Sequence, residues 1–406
     1  MIPRPDLLDS NSPAGLEVFQ LTDEADVPSS HVYMEAQIFA PDSKRFILHR
    51  SAHAHGSDMH DPRHRYLLCD LADGGKLTPV TDEVGATAPS VSPDGSYLYY
   101  FVNQTQVGGG RLTLKRRRLD GGDPQTISVV DGRLPGTKFS PSRIYPLSTI
   151  SSDGRKVAVS AYLGDGTEAG APFGLMVFDV ATGEINLILS GPSWCNMHPQ
   201  YSRSLDGRQS RDILVQENHG NFCDAQGKCV TLVSGRGADI HVIRDDGMSF
   251  RDMPWGRDGV EKCQGHQCWR GRTDWAITST SDARLIEGRA EPHADHDGLL
   301  TPGAVRNDLT SGLAEPRFFH FATDIAGARL ITDQHAADGP VAVYCARLGE
   351  AGHAPLAGLT YLLDSRSQWR SQTHIHPFLS PDGTMGFFNS CESGVLQAYM
   401  VRNLPF

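Results

Sequence analysis

A tight polar turn recurs along the chain, each time between a half-apolar run and a more apolar one. It reads Pro41-Asp-Ser43 before RFIL, Pro93-Asp-Gly95 before YLYYF, Ser152-Asp-Gly154 before KVAVSAYL and Leu205-Asp-Gly207 before DILVQ. Gly271-Arg-Thr273 before WAITS, Ile325-Ala-Gly327 before RLIT and Pro381-Asp-Gly383 before GFFNS complete the set. The seven marks lie fifty to sixty-six residues apart. Short strands punctuated at that period predict an all-β, seven-bladed β-propeller with one four-stranded antiparallel blade per repeat. A two-domain sandwich is the alternative, and it accounts less well for seven marks.

Other strands fall into place around the marks. HRYLLCDLADGGKLTPVTD reads as two outer strands joined at Ala72-Asp-Gly-Gly75, and LMVFDVATGEINLIL repeats the pattern in the third blade. The last blade ends at LQAYMVRNLPF with no outermost strand to follow, and LEVFQLTD, about 16–23, has the shape of the missing one. Pairing the two ends closes the ring and removes an exposed sheet edge. Residues 1–406 are therefore expected to form a single propeller domain.

A net charge of −11 argues against a nucleic-acid partner, which calls for a basic face. No apolar run reaches membrane-spanning length, and the N-terminus lacks the basic start and apolar core of a secretory signal, so a cytoplasmic protein without a membrane partner is expected. In that compartment the eight cysteines are expected as thiols.

Each inner strand of a propeller runs along the central channel from one mouth to its turn. Residues six to eleven positions before a mark therefore belong at that mouth, and His31, His198, His266, His320, His374 and His376 fall in this window from five blades. In an extended strand His374 and His376 point the same way. Imidazole is the commonest metal ligand, so a cluster drawn from His266, His320, His374 and His376 is expected to hold a divalent cation, with Asp324, Glu315 and Gln372 as nearby oxygen donors. Two long loops open on the same face, His49–His64 with five histidines and Glu217–Asp239 with His219, Cys223 and Cys229. The pairs Cys223/Cys229 and Cys263/Cys268 offer zinc a competing site, although neither has the spacing of a zinc ribbon.

The segments His198-Pro-Gln-Tyr201, Gly265-His-Gln-Cys-Trp269, His320-Phe with Gly327, and Arg370 through His376-Pro377 resemble, in this order, those of the oligogalacturonate lyases. These are manganese-dependent, cytoplasmic polysaccharide lyases built on a seven-bladed propeller. The resemblance implies that His266, His374 and His376 are metal ligands with a glutamine as a fourth. Ser371 stands at the family's glutamine position here, and either Gln372 one residue later or another ligand is expected to take its place. It further implies manganese as the cation, with zinc and calcium as alternatives. His219 becomes the first candidate for catalytic base and His198 the second, with Arg203 and Arg370 beside the substrate carboxylate.

A uronate lyase removes the proton at C5 and expels the glycosidic oxygen at C4. Because the neighbouring carboxylate is already negative, a cation and an arginine are needed to stabilise the charge that develops, and a histidine suits the proton transfer near neutral pH. Tyr201 is a candidate donor to the leaving oxygen, with core packing as its other role. The expected partner is an anionic oligosaccharide. A non-catalytic TolB-like propeller that binds proteins or ligands is the alternative, but it has no need of histidines from five blades at one mouth.

Overall fold

The recurring turn has a chemical reason. In Ser92-Pro-Asp-Gly95 the Ser92 hydroxyl donates to Asp94 Oδ1 at 2.5 Å, and the same carboxylate oxygen accepts the Ser96 N–H at 3.0 Å. Ser151 with Asp153 and Ser380 with Asp382 repeat the first bond, each at 2.6 Å. Such Asx-type bonds let two short side chains hold the reversal. The glycine is required for two reasons: Gly95 has φ 71°, and a Cβ there would lie 2.7 Å from Pro41 of the preceding mark. Gly383, with φ 68°, meets Asp324 and Arg329 of blade six in the same way. The marks thus touch one another around the channel, and the Asp382 N–H donates to Ser43 Oγ at 3.2 Å between the last mark and the first.

The computed structural model describes the chain apart from residues 54, 232–236, 256–261, 291–305, 315–316, 336–340 and 368–372. The fold is a seven-bladed β-propeller. Blades one to three are four-stranded meanders beginning at Ser29–His31, Ala86–Val91 and Ser148–Ile150. Blade four runs Gln200–Tyr201, Asp212–Asn218, Ala238–Arg244 and Arg251–Asp252; blade five runs Cys263–Trp269, Trp275–Thr280, Leu285–Arg289 and Arg306–Asp308. Blade six begins at Phe318–Thr323 and blade seven at Phe378–Leu379.

Blade seven is completed from the other end of the chain. Glu17–Gln20 pairs antiparallel with Gln397–Arg402, Glu17 opposite Arg402 and Gln20 opposite Tyr399, and Ile2–Pro3 adds a further edge. The outer strands expected around Ala72–Gly75 are Arg65–Asp70 and Lys76–Pro79, joined with Gly74 and Gly75 at positive φ. Among the described residues no helix is long and apolar enough to cross a membrane.

The seam between blades seven and one is aromatic. Phe46 and Phe387 lie 5.0 Å apart, Phe378 and Phe387 5.3 Å, and His31 stacks on Phe46 at 5.7 Å. His31 is therefore not at the channel mouth. It sits at the far end of the predicted window, where its ring turns into this seam, 1% exposed, with Nε2 bonded to the Tyr399 carbonyl at 2.9 Å.

Burial lowers the His31 pKa to about 3, and burial followed by the Arg65 charge lowers that of His64 to about 4. Both are neutral when folded and titrate near pH ~6.5 when unfolded, so on acidification the unfolded chain takes up protons first. Their stabilising contribution is complete above that pH and is lost below it by roughly 1.4 kcal/mol per pH unit for each histidine, down to the folded pKa. Urea midpoints should fall steadily between neutral pH and about pH 5; a constant midpoint would contradict neutral burial.

Blade five lacks the Pro-Asp-Gly mark and uses Arg270 instead. Its guanidinium pairs with Glu287 at side-chain exposures of 4% and 0% and also donates to the carbonyls of Gly327 and Gly349. Glu287 accepts further bonds from Asn307 and the Gly352 N–H, both at 2.8 Å. Arg270→Met strands a buried carboxylate and should cost about 3–5 kcal/mol in chemical denaturation. A loss under about 1 kcal/mol, as for an exposed pair, would contradict this role.

Candidate metal centre

Near the channel mouth the inner strands break their regular conformation. His376 has φ 43° and His198 φ 49°, both in the left-handed region. In blade five the pairing register shifts between Cys263 and Gln267, with Gly265 at φ 89° just before His266. In blade six it shifts between Phe318 and Phe321, around His320. Such irregularities re-aim side chains, and a left-handed non-glycine residue costs about 1–3 kcal/mol, so they persist only where the surroundings enforce them.

The imidazoles consequently meet across blades. Ring centroids lie 4.4 Å apart for His266 and His320, 4.5 Å for His320 and His376, 5.2 Å for His320 and His374, and 5.4 Å for His374 and His376. A small hairpin of blade one, Ala52–His53 with Gly56–Ser57, brings in His55, 5.1 Å from His374 and 5.2 Å from His376. One donor nitrogen from each of His55, His374 and His376 lies within 4.8 Å of the others.

The protonation state and the bonding both suit a cation. Burial first, and repulsion from neighbouring imidazoles second, hold His266, His320 and His376 well below the ordinary histidine pKa, so at neutral pH they carry lone pairs. His376 is 1% exposed, and neither of its ring nitrogens has a hydrogen-bond partner among the described residues. Leaving such a group unsatisfied costs about 1–3 kcal/mol. His320 Nδ1–H donates to buried Asp333 at 2.6 Å, which fixes the tautomer and directs the lone pair to Nε2, the usual support for a metal-binding imidazole. The residues present therefore fit a divalent cation.

A second layer adjoins the cluster. Tyr33 stands 4.4 Å from the His376 ring and 5.6 Å from His198, and Tyr145 lies 5.3 Å from His198. His198 Nδ1–H donates to Glu35 at 2.9 Å, and burial holds the Glu35 carboxyl above the usual range. Toward the turns the channel opens into a cavity of about 500 Å³ lined by Glu35, Gln37, Arg203, Cys268 and Arg272.

No family model matches the chain, and no curated protein matches it. Solved structures do. An oligogalacturonate lyase from Vibrio parahaemolyticus superposes with a TM-score of 0.67 at 17% identity, covering 97% of this chain and 96% of that one. An oligogalacturonate lyase in complex with manganese gives 0.66 at 19% identity, covering 98% and 96%. The chain has the oligogalacturonate-lyase fold.

On that fold the predicted residues divide into groups. His266, His320, His374 and His376 come together at the mouth, and His198 adjoins them through Tyr33. Arg370, Ser371, Gln372 and Glu315 lie outside the described residues. Arg203 lines the cavity on the turn side. Asp324 serves its own turn, accepting the N–H groups of Ala328 and Arg329. Tyr201 is 1% exposed in the core between blades three and four, its hydroxyl 3.3 Å from Asp245, so it faces away from the mouth and packs.

His219 follows the second strand of blade four at the mouth end. Its Nε2–H donates to Asp239 at 2.9 Å, with Glu217 at 3.7 Å. Cys263 and Cys268 share one strand but pack into different core clusters, which rules them out as a zinc pair.

Sequence reasoning missed His55, Tyr33, Glu35 and Tyr145. The last three fall in the window that selected the histidines, so extending it to every polar and aromatic side chain would have found them. His55 belongs to a loop with four other histidines, of which His49 is held by Ser30 at 2.7 Å and His64 by Ser57 at 2.8 Å, and nothing in its spacing sets it apart.

Proposed function

We propose that this chain is a divalent-cation-dependent lyase that cleaves uronic-acid oligosaccharides by β-elimination, and that residues 1–406 act as one domain. The observation that carries the reading is the convergence of His55, His374 and His376, the last a buried imidazole with no hydrogen-bond partner among the described residues. The shared fold supports it, as does the manganese complex of one similar lyase. His55, His374 and His376 would hold the cation, with His266 and His320 beside them. Imidazole donors suit zinc better than calcium, which prefers oxygen, and manganese is the metal bound in one similar lyase.

When bound, the cation supplies positive charge beside the uronate carboxylate, where negative charge builds as the C5 proton leaves. His219 is the proposed base. A carboxylate only accepts hydrogen bonds, so Asp239 fixes the proton on Nε2 and the basic lone pair on Nδ1. The His219 side chain is 39% exposed and can meet a substrate. His198, at 8%, is enclosed by Tyr33 and Tyr145 and orients the mouth through Glu35. Arg203 and Arg370 are the proposed partners for substrate carboxylates, and Gln372 a further donor to the cation. Galacturonate oligomers are the first substrate to test among the uronides.

Chelator-treated protein should be inactive on oligogalacturonate, and manganese should restore the rise in ultraviolet absorbance from the unsaturated product. Full turnover in the presence of excess chelator would sink the proposal.

A further inference from the structure

Three sulfur atoms converge away from the histidines. Cys195 follows the short 3-10 turn Pro192–Trp194, and Cys223 and Cys229 oppose each other across the hairpin Phe222–Cys223 with Cys229–Thr231. The three Sγ atoms lie within 4.8 Å of one another, with Cys223 and Cys229 3.0 Å apart. Cys195 is 0% and Cys223 4% exposed, and Cys229 is half-buried. Asn221 Nδ2 lies 3.1 Å from Cys195 Sγ, while its Oδ1 is buried with no hydrogen-bond partner among the described residues.

We propose that Cys195, Cys223 and Cys229 form a structural zinc site, separate from the histidine mouth, with Asn221 Oδ1 as the fourth donor. Zinc–sulfur bonds of about 2.3 Å place tetrahedral thiolates roughly 3.8 Å apart, between the shortest separation here and the outer limit of the cluster. A half-turn of the Asn221 amide exchanges its nitrogen and oxygen, aims the oxygen at the sulfurs and turns an unsatisfied acceptor into a ligand. Binding replaces three thiol protons, which pass to solvent, with one cation.

A disulfide explains less. It needs sulfurs about 2.0 Å apart, uses two of the three and leaves the buried third without a role. Three hydrogen bonds bring the hairpin to this position. Tyr162 donates to the Ala225 carbonyl at 2.9 Å, Arg143 to the Gln226 carbonyl at 2.7 Å, and the Gly170 N–H to the Cys223 carbonyl at 3.0 Å. Zinc would tie this hairpin to the base of blade four's inner strand, directly after His219, and so limit the motion of the loop that carries it.

The test is elemental analysis of protein purified from zinc-supplemented culture, followed by cobalt exchange. About one zinc per chain is expected in the His374→Ala/His376→Ala variant, where the histidine mouth no longer competes, with a tenfold or greater loss when Cys229→Ser is added to it. Cobalt should give a thiolate charge-transfer band that is absent in Cys229→Ser. Cys229 is only half-buried, so this variant is expected to keep the wild-type far-ultraviolet circular dichroism. Zinc retained when Cys229→Ser is added to the His374→Ala/His376→Ala variant, a Cys223–Cys229 disulfide in unreduced peptides, or zinc-free native protein with titratable thiols would each overturn the site.

Discussion

His376→Ala should abolish cation binding and uronide cleavage together. The side chain is 1% exposed, its backbone is held at φ 43°, and both ring nitrogens lack hydrogen-bond partners among the described residues. A strained backbone and an unsatisfied ring both work against stability, and ligation offsets both. Outer partners of metal ligands are typically worth 10–100-fold, so loss of this donor should weaken cation affinity by at least ~100-fold. The sign on stability is opposite: with no cation present, His376→Phe should unfold at no lower a temperature than wild type, because it removes an uncompensated polar group. Wild-type cation affinity in His376→Ala, measured by calorimetry, would end its role as a ligand. Running His55→Ala and His266→Ala in parallel separates the two possible third donors, and His55→Ala is expected to lose more affinity.

His219→Ala is expected to lower kcat by roughly 10²–10⁴-fold, the usual contribution of a positioned general base. Cation affinity should stay at the wild-type value, because His219 is held by Asp239 and is not one of the three converging donors. His198→Ala should mainly disturb the Glu35 and Tyr33 packing, raising KM more than it lowers kcat. If the two variants exchange these behaviours, the base is His198.

The fold was legible because its signal repeats. Pro-Asp-Gly marks encode a turn whose serine, aspartate and glycine each have a physical duty, and the interval between marks sets the blade count. The ends were legible too, since the last blade lacked a strand that LEVFQLTD could supply. Degenerate marks such as Gly271-Arg-Thr273 survive because other contacts replace the turn chemistry, here the buried Arg270–Glu287 pair.

The site was legible only where it lies on inner strands. Distance from a mark locates a residue along the channel, which placed His266, His320, His374 and His376 together. It does not say which way a ring turns, and His31 turned into the aromatic seam. Residues on long connections are beyond such counting. His55 reaches the cluster from a hairpin whose position depends on packing, with Gly56 set so close that a Cβ would lie 3.2 Å from Pro146. Cys195 likewise joins Cys223 and Cys229 only in three dimensions.

The most direct measurement is the mass of the products formed from a defined oligogalacturonate with manganese present. β-Elimination breaks the C4–oxygen bond without adding water, so one fragment should be an unsaturated uronide lighter by one water than its hydrolysis counterpart, and its formation should stop in His376→Ala. Fragments that have all gained water, or an intact substrate under every divalent metal tried, would contradict a uronide lyase.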